Sequence, residues 1–278
     1  MMHKKFRFIC MAMLSALMIN HAHALQRLES CYDQLGLEQP QPGERRILYL
    51  FIDQTMPITG AMQNSVYSLL SDWNRSGDAI KIARFSANTK GQFTELVYDA
   101  VMDVQPSEEY LYHLRDQDHD NLLSCLTRRQ EQYTSSFQDA FKNVMNGINP
   151  RLPKTDLFYA MMQFSDMLAQ DRAIADKTAL LVTDGLENSK YTTFHKRKSM
   201  ANIAPEKELL RLSSRQLITE WFNAKVYIYG LGYLEDKDVY VAPDMIEPLK
   251  EFWRLYFTAG NAQVKGLGTP ALLVNSLR

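Results

Sequence analysis

Residues 47–53 read Ile-Leu-Tyr-Leu-Phe-Ile-Asp, and residues 179–185 read Ala-Leu-Leu-Val-Thr-Asp-Gly. Each run is almost entirely apolar up to an aspartate, which is the pattern of a strand buried on both faces of a parallel sheet. Open α/β sheets bind their ligands outside the carboxyl ends of the strands. The two runs therefore predict that Asp53 and Asp184 lie together at one rim of such a sheet.

Strand and helix patterns alternate along the rest of the chain. Strand patterns recur at 79–85, 94–101 and 225–232, and a last strand is expected within 263–274. Apolar residues at helical spacing separate them, as in Leu157, Met161, Phe164 and Leu168. This order predicts an α/β fold with a doubly wound, mostly parallel central sheet and helices on both faces.

A hydroxyl joins the two carboxylates at the predicted rim. Thr155 opens a helical segment after the Pro-containing loop 149–154, and either Thr155 or Asp156 is expected to cap that helix. Two carboxylates and a hydroxyl on one rim suit a hard divalent cation, which prefers oxygen ligands. The alternative is that these side chains only cap helices and turns, as Asp and Thr often do.

At these residues the chain resembles the von Willebrand factor A domain family, over roughly residues 45–275. Members carry a metal-ion-dependent adhesion site that consists of an Asp-x-Ser/Thr-x-Ser element, a Thr in a later loop and an Asp after a middle strand. The resemblance implies a three-layer sandwich. It also implies that Asp53, Thr55, Thr155 and Asp184 hold Mg²⁺ or Mn²⁺, and that an Asp or Glu of a protein partner completes the metal shell.

The first element departs from the family pattern at Pro57, where members have a hydroxyl ligand. Proline offers no side-chain oxygen, so water or the partner must supply the missing ligand. The next hydroxyl is Thr59, which reaches the site only if the loop is reshaped.

Three further polar residues are expected at the same rim. Asp156, Glu187 and Asn188 are candidates for outer-sphere hydrogen bonds to metal-bound water, and solvated loop residues are the alternative.

The first 24 residues predict a signal peptide. Lys4, Lys5 and Arg7 precede the short apolar stretch 8–19, and Ala22-His23-Ala24 is a small-residue cleavage site. Cleavage near Ala24 predicts an exported protein, periplasmic or secreted, while an uncleaved anchor is the alternative. No other apolar segment of the sequence is long enough to cross a membrane.

After cleavage, residues 25–44 form an N-terminal extension, and residues 45–278 form the von Willebrand A-like domain. That domain carries an elaboration at about 103–135, which is polar and rich in charge and predicts short helices or a loop. The formal net charge of the whole chain is −1, so no basic excess points to nucleic acid as a partner.

Two cysteines, Cys31 and Cys125, remain in the mature chain. In an oxidising compartment an isolated pair predicts a disulfide that pins the N-terminal extension to the elaboration. Two buried thiols are the alternative, since a sequence cannot place the two Cα atoms within bonding range.

A basic cluster at 195–198 (His-Lys-Arg-Lys) is a candidate for steering an acidic partner, or a solvated loop. Five aromatic residues are candidates for an exposed contact patch or for the core: Tyr191, Phe194, Trp221, Trp253 and Tyr256.

Enzyme signatures are missing from the sequence. It contains no Gly-x-Ser-x-Gly elbow, no phosphate-binding loop and no His-Glu-x-x-His helix. We therefore expect a protein-binding module that is not an enzyme, with the partner bound at the rim. The alternatives are a metal-free structural component of a cell-envelope machine (secretion, pilus or conjugation) and, less favoured, a metal-dependent hydrolase.

Overall fold

The computed structural model describes residues 29–40, 45–71, 73, 75–86, 94–152, 156–196, 199–234, 243–269, 271–274 and 276–277. The predicted signal peptide lies outside the described residues, and so do Thr155, Arg197 and Lys198. Within the described ranges, no helix is both long and apolar enough to span a bilayer.

Eight strands are described. They are β1 (Arg46–Asp53), β2 (Ala79–Phe85), β3 (Glu95–Val101), β4 (Asp176–Val182), β5 (His195–Lys196), β6 (Ser199–Met200), β7 (Lys225–Tyr229) and β8 (Gln263–Leu267). Six of them form one sheet in the order β3-β2-β1-β4-β7-β8, in which only β3 is antiparallel to its neighbour. This confirms the predicted doubly wound, mostly parallel sheet, with β1 and β4 at its centre.

Seven helices accompany the strands in the described residues. They are α1 (Cys31–Leu35), α2 (Gly60–Leu69), α3 (Glu108–Tyr112), α4 (Asp116–Asn146), α5 (Leu157–Gln170), α6 (Pro205–Ser213) and α7 (Pro243–Ala259). Pro205 occupies the first turn of α6, where the N–H that proline lacks would have no partner within the helix.

The two faces of β1 enter separate cores, because successive side chains of a strand point to opposite faces. Ile47, Tyr49 and Phe51 pack with α5, α6 and α7, whereas Leu48 and Leu50 pack with α2 and α4. Every residue of β1 after Arg46 is buried, which explains the unbroken apolar run in the sequence.

The elaboration differs from its prediction. Apart from the short α3, residues 116–146 form one continuous helix of 31 residues instead of short helices or a loop. No glycine or proline interrupts this segment, so nothing stops the helix before Gly147. Leu122 and Leu126 are buried in this helix, whereas Leu123 is 38% exposed.

The first half of α4 packs against α1 and α3 in a third apolar cluster. Cys31 and Cys125 form a disulfide at its centre, as the sequence predicted. Because α4 is about 46 Å long, its other end still reaches the rim, where the Asn149 N–H donates to the Gln54 carbonyl at 2.8 Å. One helix therefore joins the disulfide cluster to the rim.

Candidate functional site

The carboxyl ends of the two central strands bring the predicted aspartates to one rim. Asp53 is the last residue of β1, and Asp184 follows β4 after one intervening residue, Thr183. The parallel register pairs Ile52 with Val182, so that Asp53 lies beside Thr183. The placement follows from the strand ends alone, as the sequence indicates.

Hydrogen bonds hold both oxygens of the Asp53 carboxylate. Oδ1 accepts from the Thr55 backbone N–H at 2.9 Å and from the Thr55 hydroxyl at 2.8 Å, and Oδ2 accepts from the Thr183 hydroxyl at 2.8 Å. Asp53 is only 1% exposed. Charge-assisted bonds of this kind compensate a buried carboxylate for its lost hydration and fix its orientation.

The loop after β4 fixes Asp184 from two further elements. Asp184 Oδ1 accepts from the Leu186 N–H at 2.9 Å, and its backbone carbonyl accepts from the Gly232 N–H at 2.8 Å. The indole N–H of Trp253, on α7, donates to the Gly185 carbonyl at 3.0 Å in a buried contact. The rim loop is therefore tied to α7 and to the turn after β7.

The hydroxyls around the site divide into three cases. Thr55 is half-buried and bonded to Asp53, whereas Thr155 cannot be placed because it lies outside the described residues. Thr59, the next hydroxyl after Pro57 in the sequence, is the N-cap of α2 and accepts from the Met62 N–H at 3.2 Å. Thr59 therefore has a structural use here and does not replace the ligand that Pro57 lacks.

The described donors fit part of a hard-cation shell. Asp53, Thr55 and Asp184 offer oxygen only, which suits Mg²⁺ or Mn²⁺. No group of three or more His, Cys, Asp or Glu side chains within the described ranges is placed to hold a metal. An octahedral ion at this rim would therefore need water or partner oxygens for a large share of its shell.

Glu187 and Asp156, two of the predicted outer-sphere residues, secure the start of α5. Asp156 is the N-cap and accepts from the Tyr159 N–H at 3.0 Å. Glu187 is fully buried, and its Oε2 accepts from the backbone N–H groups of Leu157 and Phe158 at 2.8 and 3.2 Å. These two carboxyl groups supply the acceptors that the free N–H groups of a helix start require.

Asn188, the third predicted outer-sphere residue, is exposed. Its Oδ1 accepts from the Thr193 hydroxyl at 3.3 Å, and the two residues also form an isolated β-bridge. This contact shapes the loop that follows Glu187.

Burial raises the pKa of Glu187 to about 8, and the nearby Asp156 charge acts in the same direction. Hydrogen bonds from Ser189 and from the start of α5 oppose the shift. Burial also raises the pKa of Asp156, while the Lys190 charge opposes that rise. Two carboxyl groups at this rim thus favour their protonated forms more than free carboxyls do.

The raised pKa of Glu187 predicts a pH-dependent stability. Between about pH 4.5 and 8 the native side chain keeps a proton that the unfolded chain has released, so the free energy of unfolding falls as the pH rises. One such group contributes a slope of at most about 1.4 kcal/mol per pH unit. Urea unfolding of wild type and Glu187→Gln across this range should show a flatter dependence in the variant. Glu131→Gln, an exposed control on α4, should keep the wild-type slope, and equal slopes for all three proteins would contradict the assignment.

Two residues of the site carried no recognised sequence signal. Thr183 precedes Asp184 at the end of an apolar run, and a polar residue at that position is the only local indication of its role. Its hydroxyl donates to Asp53 in the structure. Trp253 lies 68 residues from Gly185, and nothing local marks its contact with the rim.

The predicted aromatic patch is largely core. Phe194, Trp221, Trp253 and Tyr256 are buried, and only Tyr191 is half-buried. Of the basic cluster, His195 is half-buried in β5, and Arg197 and Lys198 lie outside the described residues. The exposed candidates at this rim are therefore Asn188, Lys190 and the partly open Tyr191.

No protein-family model and no curated protein matches the chain. Among the solved structures that align with it is a von Willebrand factor type A protein from Catenulispora acidiphila, with 13% sequence identity and a TM-score of 0.35. A second is the manganese-loaded TRAP protein from Plasmodium vivax, with 15% identity and a TM-score of 0.30. A third is the pilus adhesin SpaC from Lactobacillus rhamnosus GG in an open conformation, with 14% identity and a TM-score of 0.36. The alignments cover 81%, 77% and 79% of this chain but 38%, 63% and 27% of those chains. On its own strand order, with one antiparallel edge strand beside five parallel strands, the described part of the chain has a von Willebrand factor A-like fold.

Proposed function

We propose that this chain is an exported module that binds another protein at the rim where β1 and β4 end. The observation that carries the proposal is the convergence of two nearly buried carboxylates, Asp53 and Asp184, on adjacent central strands. Asp53, Thr55 and Asp184, with Thr155, which directly precedes Asp156 in the sequence, would hold Mg²⁺ or Mn²⁺. The partner is a protein that offers an Asp or Glu carboxylate.

Hydrogen bonds within the chain already orient the rim carboxylates in the absence of a partner. Thr55 and Thr183 orient Asp53, and the Leu186 N–H orients Asp184. A bound cation would supply attraction for a partner's carboxylate, which is stronger in a partly dry site than in water. The fixed donors reduce the ordering cost of binding, because few side chains need to be immobilised.

A second candidate function has its own support. Pro57 removes one oxygen ligand, and the Thr183 hydroxyl already engages Asp53 Oδ2 at 2.8 Å. Both observations favour a metal-free site, in which the internal hydrogen bonds stabilise the strand ends. The function that we propose for such a site is that of an assembly component of a cell-envelope machine. In this version the partner binds the same rim without a cation.

We propose binding rather than catalysis because the rim carboxylates are committed to internal hydrogen bonds. Asp53 accepts three of them, and Glu187 secures the start of α5. Hydrolysis would require a general base or a nucleophile beside these groups, and the sequence contains no recognised motif that supplies either one. Turnover of a phosphoester panel by the purified protein would overturn this part of the proposal.

The test of the metal-assisted version is calorimetric titration of Mg²⁺ and Mn²⁺ into the mature protein, repeated with acetate as a stand-in for the partner's carboxylate. We expect binding heat in the wild type and at least about tenfold weaker binding in Asp184→Asn and Asp53→Ala, since each loses a charged oxygen ligand. Asp166→Asn, an exposed control on α5, should bind like the wild type.

The outcomes separate the two versions. Wild-type heat that persists in both rim variants would contradict the assigned ligands. An absence of heat in the wild type, with and without acetate, would favour the metal-free version. Binding at the rim itself is then tested by photo-crosslinkers at Asn188 and, as a control at the opposite end of the sheet, at Arg172, with host envelope proteins as targets.

A further inference from the structure

Two cations share one aromatic ring on the loop that follows the rim. Lys190 Nζ lies 5.0 Å from the centroid of the Tyr191 ring, and Arg215 Cζ lies 5.6 Å from the same centroid. Both distances are within the range of cation–π attraction. Lys190 comes from the loop after β4, and Arg215 comes from the turn after α6, so the ring joins two separate segments.

The ring that organises this cluster is held in place by the fold. Tyr191 packs against the core under α5, α6 and α7, and its backbone N–H donates to the Ser189 hydroxyl at 3.1 Å. The Arg215 backbone N–H donates to the Leu212 carbonyl at 3.0 Å, at the end of α6. The side chains of Lys190 and Arg215 are exposed, so the cluster is an open surface on a fixed base.

The two cations of this cluster form no close ion pair within the described part of the chain. Neither Lys190 nor Arg215 has a carboxylate within ion-pair distance there, whereas the adjacent Arg211 is 3.3 Å from Glu208. An anion beside this ring is attracted by both positive charges. Arginine stacked on a ring also keeps its N–H edge available for the two oxygens of a carboxylate.

The cluster adjoins the proposed binding rim. Lys190 is six residues after Asp184 on the same loop, and its charge acts on Asp156 at the start of α5. A partner segment that reaches the rim can therefore touch the cluster without leaving this face of the molecule.

We propose that Lys190, Tyr191 and Arg215 form a binding site for carboxylate groups in an acidic segment of a protein partner. This inference rests on the proposed function in one respect, namely that a protein partner docks at the adjoining rim. It adds a second anionic contact that needs no cation. The partner segment would carry acidic residues beyond the single Asp or Glu that a metal site would take.

An acidic peptide fits the cluster better than a membrane or a nucleic acid. Attraction to anionic lipid usually requires a group of about four to eight Lys or Arg, whereas this cluster has two unpaired cations within the described residues. The formal net charge of −1 for the chain gives no general attraction to polyanions. The aromatic face adds contact area for the side chains that flank a carboxylate in a peptide.

The experiment measures binding of a fluorescent glutamate-rich peptide to the mature protein by anisotropy, in EDTA so that no divalent cation contributes. We expect the double variant Lys190→Glu/Arg215→Glu to bind at least about tenfold more weakly, because it loses two charge-assisted contacts. The control variant Lys142→Glu/Arg172→Glu changes two exposed cations elsewhere by the same net charge and should bind like the wild type. Raising the salt concentration should weaken the wild-type complex.

Variants of the ring test the arrangement as well as the charge. Tyr191→Phe keeps the aromatic face and should retain the affinity, whereas Tyr191→Leu should weaken it several-fold because the two cations lose their common support. Because the peptide titration is run in EDTA, its outcome does not depend on the metal-assisted version of the proposed function.

Three results would overturn the inference. The first is equal peptide binding by the wild type and the Lys190→Glu/Arg215→Glu variant. The second is a wild type that binds a glutamine-rich peptide as tightly as the acidic one. The third is binding to phosphatidylserine vesicles that depends on Lys190 and Arg215, without binding to the peptide.

Discussion

Replacing both Cys31 and Cys125 by serine should lower the free energy of unfolding by about 4 kcal/mol, the largest effect expected from a change far from the rim. The disulfide closes a loop with a sequence separation of 94 residues, and cross-links over long loops remove the most entropy from the unfolded chain. Urea unfolding of the wild type and the double variant measures the difference.

The extension should stay partly docked in that variant because other contacts hold it. The Cys31 N–H donates to Asp103 Oδ2 at 3.1 Å, the Tyr32 hydroxyl donates to the Val104 carbonyl at 2.7 Å, and Arg129 donates to the Glu29 carbonyl at 2.6 Å. Cation and peptide binding at the rim should therefore remain at wild-type levels. An unchanged unfolding midpoint, or two alkylatable thiols in the unreduced wild type, would contradict the prediction.

Gly185→Ala should destabilise the protein by roughly 2–4 kcal/mol and disturb the rim at the same time. Gly185 has φ of +69°, where a Cβ is strained, and that Cβ would meet the Leu231 side chain and the Trp253 Nε1 atom at 2.8 Å. The Trp253 indole also donates to the Gly185 carbonyl. A Cβ at this position therefore displaces either α7 or the loop that holds Asp184.

Gly36→Ala is a matched control for this prediction. Gly36 has nearly the same backbone angle, φ of +64°, but a Cβ there meets nothing within 4 Å. It should cost only about 1 kcal/mol of backbone strain, and the difference between the two variants isolates the crowding at Gly185. Urea unfolding gives both values, and the Mg²⁺ and Mn²⁺ titrations should show lost heat in Gly185→Ala alone. Equal destabilisation by the two substitutions would show that the contact with α7 is loose.

A milder substitution tests the same contact from the other side. Trp253→Phe keeps most of the buried ring but leaves the Gly185 carbonyl without its donor, which costs about 1–3 kcal/mol when the group stays buried. If Trp253→Phe weakens cation binding while the Asp166→Asn control does not, α7 contributes to the position of Asp184.

The sequence alone indicated the sheet and the two rim aspartates because both are local properties of buried strands. A strand that is covered on both faces requires an unbroken apolar run, and residues 47–52 and 179–182 provide such runs. Asp53 and Asp184 appear where each run ends. Parallel neighbours then bring their carboxyl ends to the same rim. The metal ligands remain a prediction, since Thr155 lies outside the described residues.

The long helix α4 shows where local patterns were insufficient. Its polar segment between residues 116 and 135 has a low apolar content, which favoured a reading as short helices or a loop. Burial of Leu122, Cys125 and Leu126 against α1 and α3 stabilises the continuous helix, and the contacts with α1 come from residues far away in the chain. Packing, rather than intrinsic propensity, decides most helices in proteins.

By itself, the sequence determined the class of fold, the central strands, the rim that carries Asp53 and Asp184, and the pairing partners available for a disulfide. Only the tertiary structure decided that Thr183 engages Asp53, that Glu187 secures the start of α5, that Trp253 fixes the Asp184 loop and that Lys190 and Arg215 meet on Tyr191. The physical reason is the distance along the chain between the residues that interact. Periodicity and strand ends depend on neighbouring residues, whereas hydrogen bonds and charge clusters join segments that meet only when the two cores on the sheet have packed.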